Sequence, residues 1–171
     1  GWMKEEFDIY GVDFRRRGRR TDEMIEVLQK LWTGRMVEHH GEHFDFPRVQ
    51  LSPAPGEPPP LYIGGASEVA LRRAARVGDG YIGAGTDPDE VPGLLQRLGE
   101  LREEYGRAHL PFEAMLGLTA EPSLDLFERM SRVGLESTVA APFAFSLGKR
   151  SSLDAKKRQM EQFAESVIRR F

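Results

Sequence analysis

From Leu61 to the carboxy terminus, short apolar runs and amphipathic stretches alternate four times. That rhythm limits the folds open to this chain more than any other feature. "LYIGG" reads as a strand, and "SEVALRRAARV" as a helix with Val69, Ala70, Ala74 and Val77 turned inward. "GYIGAG" is a second strand, followed by "DPDEVPGLLQRLGELREEYG", whose Val91, Leu94, Leu95, Leu98, Leu101 and Tyr105 recur at helical steps. "EAMLGLT" then "SLDLFERMSRVG", and "STVAAPF" then a closing helix with Met160, Phe163, Ala164, Val167, Ile168 and Phe171, complete the series. The strands are continuously apolar rather than alternating, as expected of strands in a parallel β/α architecture. Four units make half of an eight-stranded barrel, which takes about 250 residues. A small doubly wound sheet satisfies the same pattern.

The stretch before Leu61 has a different character. "TDEMIEVLQKLWTG" is a helix, with Thr21 or Asp22 placed to accept a free backbone N–H, an apolar face of Met24, Ile25, Leu28, Leu31 and Trp32, and Gly34 as its stop. "RMVEHHGEHFDFP" alternates around Gly41-Glu42 and reads as a β-hairpin. "LSPAPGEPPP" is too rich in proline for helix or central strand, and is expected to be a long surface loop rather than a domain boundary. The expected organisation is a lead-in and helix over 1–34, a hairpin and proline-rich loop over 35–60, and strand–helix units over 61–171. "GWMKEEF" opens without an initiator methionine, as a fragment or a trimmed product would.

Composition removes several function classes. The net charge of −3 over 171 residues points to neither nucleic acid nor an anionic membrane as partner. The absence of cysteine excludes disulfides and thiol catalysis and fits a cytoplasmic location. No apolar run reaches the ~18 residues of a membrane span. Walker, Gly-x-Ser-x-Gly, HExxH and zinc spacings are all missing.

Chemistry is most legible where the strand at Leu61–Ile63 meets Gly64-Gly65-Ala66-Ser67. Glycine lets a ligand approach the backbone closely, and N–H groups at a helix start bind anions. Ser67 is placed to cap the helix and to donate to a phosphate oxygen. The same residues also suit a plain tight turn with an ordinary N-cap. His39, His40 and His43 with Glu42 have ligand-like side chains, and His40 and His43 are expected to face each other across the hairpin turn. The cluster lacks a fourth ligand at close spacing, so no metal site is expected. Arg15, Arg16, Arg17, Arg19 and Arg20 precede Asp22, Glu23 and Glu26, which favours a solvated, salt-bridged helix start over a phosphate site. Asp79 suits hydrogen bonding of its turn better than acid–base work.

Taken together, "GW…EEF", "RGRRTDEMIEVLQKLWTG", "HGEHFDFP" and "PPLYIGGASEVALRRAARVGDGY" resemble the bacterial-luciferase-like flavin and deazaflavin oxidoreductases. The likeness runs from Gly1 to about residue 83. It implies a TIM (β/α)8 barrel of which this chain covers roughly the second half, from the end of strand four at Gly1-Trp2 to helix eight. It also implies that Ile63, Gly64, Gly65, Ala66 and Ser67 lie against the phosphate-bearing chain of the cofactor, coenzyme F-420 or FMN, the deazaflavin branch being resembled most. Trp2 resembles a position near the cofactor. Tyr81 departs from the family's usual Gly-Asp-Gly-Trp, keeping a ring but adding a hydroxyl. Residues at the reactive ring come largely from the first barrel half, so no catalytic residue is assigned here. The expected function is hydride transfer to or from the cofactor in the intact barrel. The alternative is a non-catalytic half-barrel that only self-associates or binds a partner. Two open strand edges and an inner face of Tyr62, Ile82, Met115 and Val139 predict a homodimer or pairing with an amino-terminal half.

Overall fold

The computed structural model describes residues 1–141, 143–148 and 150–170, and divides into two compact units, Gly1–Pro59 and Pro60–Phe171. The division falls inside the proline-rich stretch, which therefore acts as a boundary and not merely as a surface loop. A run of prolines lacks N–H donors and cannot join a ladder on either side.

In the first unit, α1 (Lys4–Ile9) leads to a 3₁₀ turn at Phe14–Arg16 that runs directly into α2 (Arg17–Trp32). The helix thus begins four residues before Thr21. Asp13 caps the 3₁₀ turn by accepting the Arg15 N–H at 2.8 Å, and α2 itself has no side-chain cap, while the Thr21 hydroxyl donates back to the Arg17 carbonyl at 2.8 Å. Arginine is a good helix former, so once Asp13 opens the turn nothing in Arg15–Arg20 halts it. Gly34, at φ +66°, ends the helix as expected. Ile25 and Val27 are its buried residues, whereas Met24 is exposed.

The hairpin pairs β1 (Val37–His40) with β2 (Asp45–Val49) antiparallel, closed by the Gly41 N–H on the Phe44 carbonyl. His40 faces Asp45, not His43, because the pairing register sets them opposite each other. The Glu23 carboxylate on α2 accepts the backbone N–H groups of His43 and Phe44 and lies 3.2 Å from His39 Nε2. It thereby fastens the hairpin turn to the helix. Burial opposes its charge, but those donors outweigh burial and hold the carboxyl below its ordinary range.

The second unit is a four-stranded, wholly parallel sheet in the order β3 (Tyr62–Gly64), β4 (Gly80–Thr86), β5 (Glu113–Leu118), β6 (Ser137–Thr138). The helices α3 (Glu68–Val77), α4 (Val91–Glu104), α5 (Leu124–Arg132) and α6 (Leu153–Phe163) follow the strands in turn. Sequence alternation and structure agree on this α/β class. Ile63, Tyr81 and Leu116 share one sheet face and are buried. The helices bring Ala70, Leu71, Ala74 and Ala75 from α3, Val91, Leu98 and Leu101 from α4, and Leu126 and Met130 from α5 to the core. Val69 is 64% exposed, contrary to expectation. The apolar stripe of α3 centres on Ala70, Leu71 and Ala74, and at 100° per residue Val69 falls off its edge.

The opposite face carries Tyr62, Gly80 and Glu113 in one row and Gly64, Ile82, Met115 and Ser137 in the next. It is less covered: Ile82 is 41% and Val139 53% exposed. The fourth strand is shorter than "STVAAPF", although the Val139 N–H still bonds the Leu116 carbonyl. Pro142 lies outside the described residues. The closing helix widens to a π turn at Ala164–Ile168, burying Val167 but leaving Met160 and Ile168 exposed. Phe171 lies outside the described residues.

Candidate functional site

At the carboxyl end of β3 the chain leaves the sheet at Gly64 and turns through Gly65, whose φ is +121°. A Cβ there would fall 2.9 Å from the Ala70 Cβ, whereas at Gly64 it would make only ordinary contacts, 3.4 Å from Ile82 Cγ2. Gly65 is therefore required by the backbone itself, and Gly64 is not. Ser67 caps α3, its Oγ accepting the Ala70 N–H at 3.4 Å. Gly64, Gly65, Ala66 and Ser67 are exposed, while the Ile63 side chain sits in the core at 6% exposure and presents only its backbone.

The Tyr81 hydroxyl donates to the Gly65 carbonyl at 3.2 Å. The ring is 3% exposed, and burial pushes its phenol above the ordinary range, so it stays a neutral donor. The hydroxyl that sets this residue apart from tryptophan thus tethers the glycine turn.

Glu68, in the first turn of α3, places a carboxylate beside the same helix start. Arg97 reaches it from α4 at 2.5 Å and Arg72 from one turn on at 3.0 Å. The Arg97 bond, outweighing burial, holds the Glu68 carboxyl below its ordinary range. The two guanidiniums offset the charge that would otherwise repel an anion here.

Asp79 belongs to the opposite end of the sheet. Its Oδ2 accepts the Leu61 N–H, and its own N–H donates to the Leu61 carbonyl, both at 2.8 Å. Arg107 donates to the neighbouring Gly78 carbonyl at 3.0 Å. Hydrogen bonding of the turn is what the geometry gives Asp79.

A second polar cluster escaped the sequence reading. On the less covered sheet face, Tyr62 Oη donates to Glu113 Oε2, and Ser137 Oγ donates to Glu113 Oε1. These hydroxyls, Ser137 foremost, hold the Glu113 carboxyl below its ordinary range, and the same bond raises the Tyr62 phenol. Gly80 makes room, since a Cβ there would fall 2.5 Å from the Tyr62 ring. The available signal was an acid at the head of an otherwise apolar strand.

Trp2 is 82% exposed. His40 meets Asp45 at 2.6 Å, and His43 Nε2 is buried 3.8 Å from Glu42 Oε2. Among the described residues no three His, Asp or Glu side chains converge as metal ligands. The arginine run disperses: Arg16 pairs with Glu42, Arg17 lies over Phe14 and Arg20 over Phe44, while Glu26 pairs with Lys30. No helix among the described residues is long and apolar enough to cross a membrane.

An uncharacterised protein of Mycobacterium tuberculosis is 39% identical over 166 residues, covering 96% of this chain and 57% of its own length. The coenzyme F-420-dependent glucose-6-phosphate dehydrogenase of Segniliparus rotundus is 27% identical over 161 residues, 91% of this chain and 45% of that protein. The FMNH(2)-dependent dimethylsulfone monooxygenase of Pseudomonas fluorescens is 30% identical over 112 residues, 64% of this chain and 30% of that protein. The matches therefore span 30–57% of the length of these curated relatives. In fold it is similar to the coenzyme F-420-dependent tetrahydromethanopterin reductase of Methanopyrus kandleri, with a TM-score of 0.75 at 13% identity over 99% of this chain and 72% of that one. The family model for luciferase-like monooxygenases matches residues 1–159, and the chain belongs to that family.

Proposed function

We propose that this chain is the carboxy-terminal half of a (β/α)8 oxidoreductase, from the end of the fourth strand to the eighth helix, that moves a hydride to or from coenzyme F-420 or FMN. The observation that carries the reading is the junction at Gly64–Ser67. An exposed, side-chain-free backbone turn there delivers a serine-capped helix start at the carboxyl end of a parallel sheet, where barrel enzymes bind their ligands. The donor chemistry suits a phosphate: backbone N–H groups at the first turn, the Ser67 hydroxyl, and a Glu68 charge offset by Arg72 and Arg97. The bound cofactor supplies the hydride-accepting or hydride-donating ring. This chain's part is to bind and orient. Gly64 leaves room for the phosphate chain, Gly65 sets the turn, Tyr81 holds that turn in place, and Ser67 presents its hydroxyl.

Titration of the purified chain with F-420 and with FMN, followed by cofactor fluorescence, tests this. A saturable change that is weakened by Gly64→Val is expected. No change with either cofactor would favour the non-catalytic half-barrel instead.

A further inference from the structure

We infer that the less covered face of the sheet is built to receive a segment that brings a basic side chain to Glu113, and that the same carboxylate works against covering by a second copy of this chain. The inference rests on the half-barrel reading above.

Tyr62 and Glu113 stand on alternate strands, β3 and β5, in one row across the face, with Gly80 between them. In an eight-stranded barrel each interior layer takes four side chains from alternate strands. Tyr62 and Glu113 would fill half of such a layer, leaving the other half to the covering strands.

Around this layer the face is apolar and open, with Ile82 41% and Val139 53% exposed, so covering it removes water from Glu113 as well. Among the described residues the partners of Glu113 are two neutral hydroxyls, and no cation pairs with it. Hydroxyls favour the ionised form but carry no compensating charge, and a carboxylate taken out of water needs one.

A twofold closure by a second copy would put Glu113 opposite its own image in the same layer, with two carboxylates sharing a dry interior. Like charges so placed cannot both stay ionised without a large penalty. A covering segment with a lysine, arginine or histidine at that level removes the penalty and sets its own register along the face.

Sedimentation equilibrium separates these cases, using wild type, Glu113→Gln, Glu113→Lys, and an equimolar mixture of wild type with Glu113→Lys. Glutamine can still accept from Tyr62 and donate to Ser137, and circular dichroism with thermal melting verifies that each variant folds. Removing the charge is expected to tighten self-association by at least about tenfold over wild type. The mixture, in which each Glu113 meets a lysine, is expected to associate at least about tenfold more tightly than either component alone. Wild type associating as tightly as Glu113→Gln, or a mixture no tighter than its components, overturns the role of Glu113 while leaving the half-barrel standing. Monomers in all four preparations at the highest concentration reached overturn the half-barrel reading and this inference with it.

Discussion

Gly64 and Gly65 are adjacent, both exposed and chemically identical, yet the structure assigns opposite consequences to replacing them. Gly65 sits at φ +121°, where an L side chain is strained by about 1–3 kcal/mol, and a Cβ there also meets Ala70 at 2.9 Å. Gly65→Val should therefore lower stability by about 2–4 kcal/mol once the overlap is added to the strain. For a chain of this length each kcal/mol shifts the midpoint by about 2–4 °C, so a drop on the order of 5–15 °C is expected. At Gly64 the backbone is an ordinary strand end and the added Cβ makes a 3.4 Å contact with Ile82. Gly64→Ala should stay within about 0.5 kcal/mol of wild type, and Gly64→Val should leave the fold intact while its side chain obstructs the approach to the turn. Differential scanning fluorimetry measures the first effect, and titration with F-420 or FMN the second. Gly64→Val melting near wild type but binding cofactor at least about tenfold more weakly, a loss of about 1.4 kcal/mol, is the expected outcome. A Gly65→Val midpoint equal to wild type would refute the conformational argument. Unchanged binding by Gly64→Val would refute the site.

Three further outcomes follow from the packing. Glu23 has a lowered carboxyl pKa, so its contribution to stability is complete above the unfolded value near 4.5 and is lost as the pH falls through the lower folded value; Glu23→Gln should remove that part of the acid dependence, as melts taken across the range would show. Leu101 on α4 is fully buried, and Leu101→Ala should cost about 2–5 kcal/mol in urea unfolding. Arg102, 5% exposed, donates from one guanidinium nitrogen to the Arg107 and Leu110 carbonyls at 2.6 Å each and stacks on Phe112 at 4.3 Å; Arg102→Ala should cost about 1.5–3 kcal/mol, with Arg102→Lys recovering only part because the shorter ammonium lacks the planar face that stacks on Phe112.

Local patterns along the chain were enough to specify the four β/α units, the hairpin, the Ser67 cap, the Gly34 stop and the hydrogen-bonding role of Asp79. Each depends on periodicity or on a residue's own backbone preferences, which act over a few positions. The start of α2 lies four residues before Thr21, because a 3₁₀ turn opened by Asp13 runs straight into the helix and no local cap marks the join. The proline-rich stretch was readable as irregular but not as a boundary, since a boundary is defined by contacts on both of its sides. The less obvious features all join residues far apart in the chain. Glu23 meets the hairpin 20 residues on. The Tyr81 hydroxyl finds the Gly65 carbonyl, and Tyr62 crosses Gly80 to reach Glu113 and, through it, Ser137. Parallel strand register decides those meetings, and register comes from how whole helices and strands pack. Sequence alone therefore determined which elements form and where the glycine-rich turn lies. Tertiary structure alone decided which glycine the backbone requires, which hydroxyl holds it, and which face of the sheet brings Tyr62 and Ser137 to Glu113.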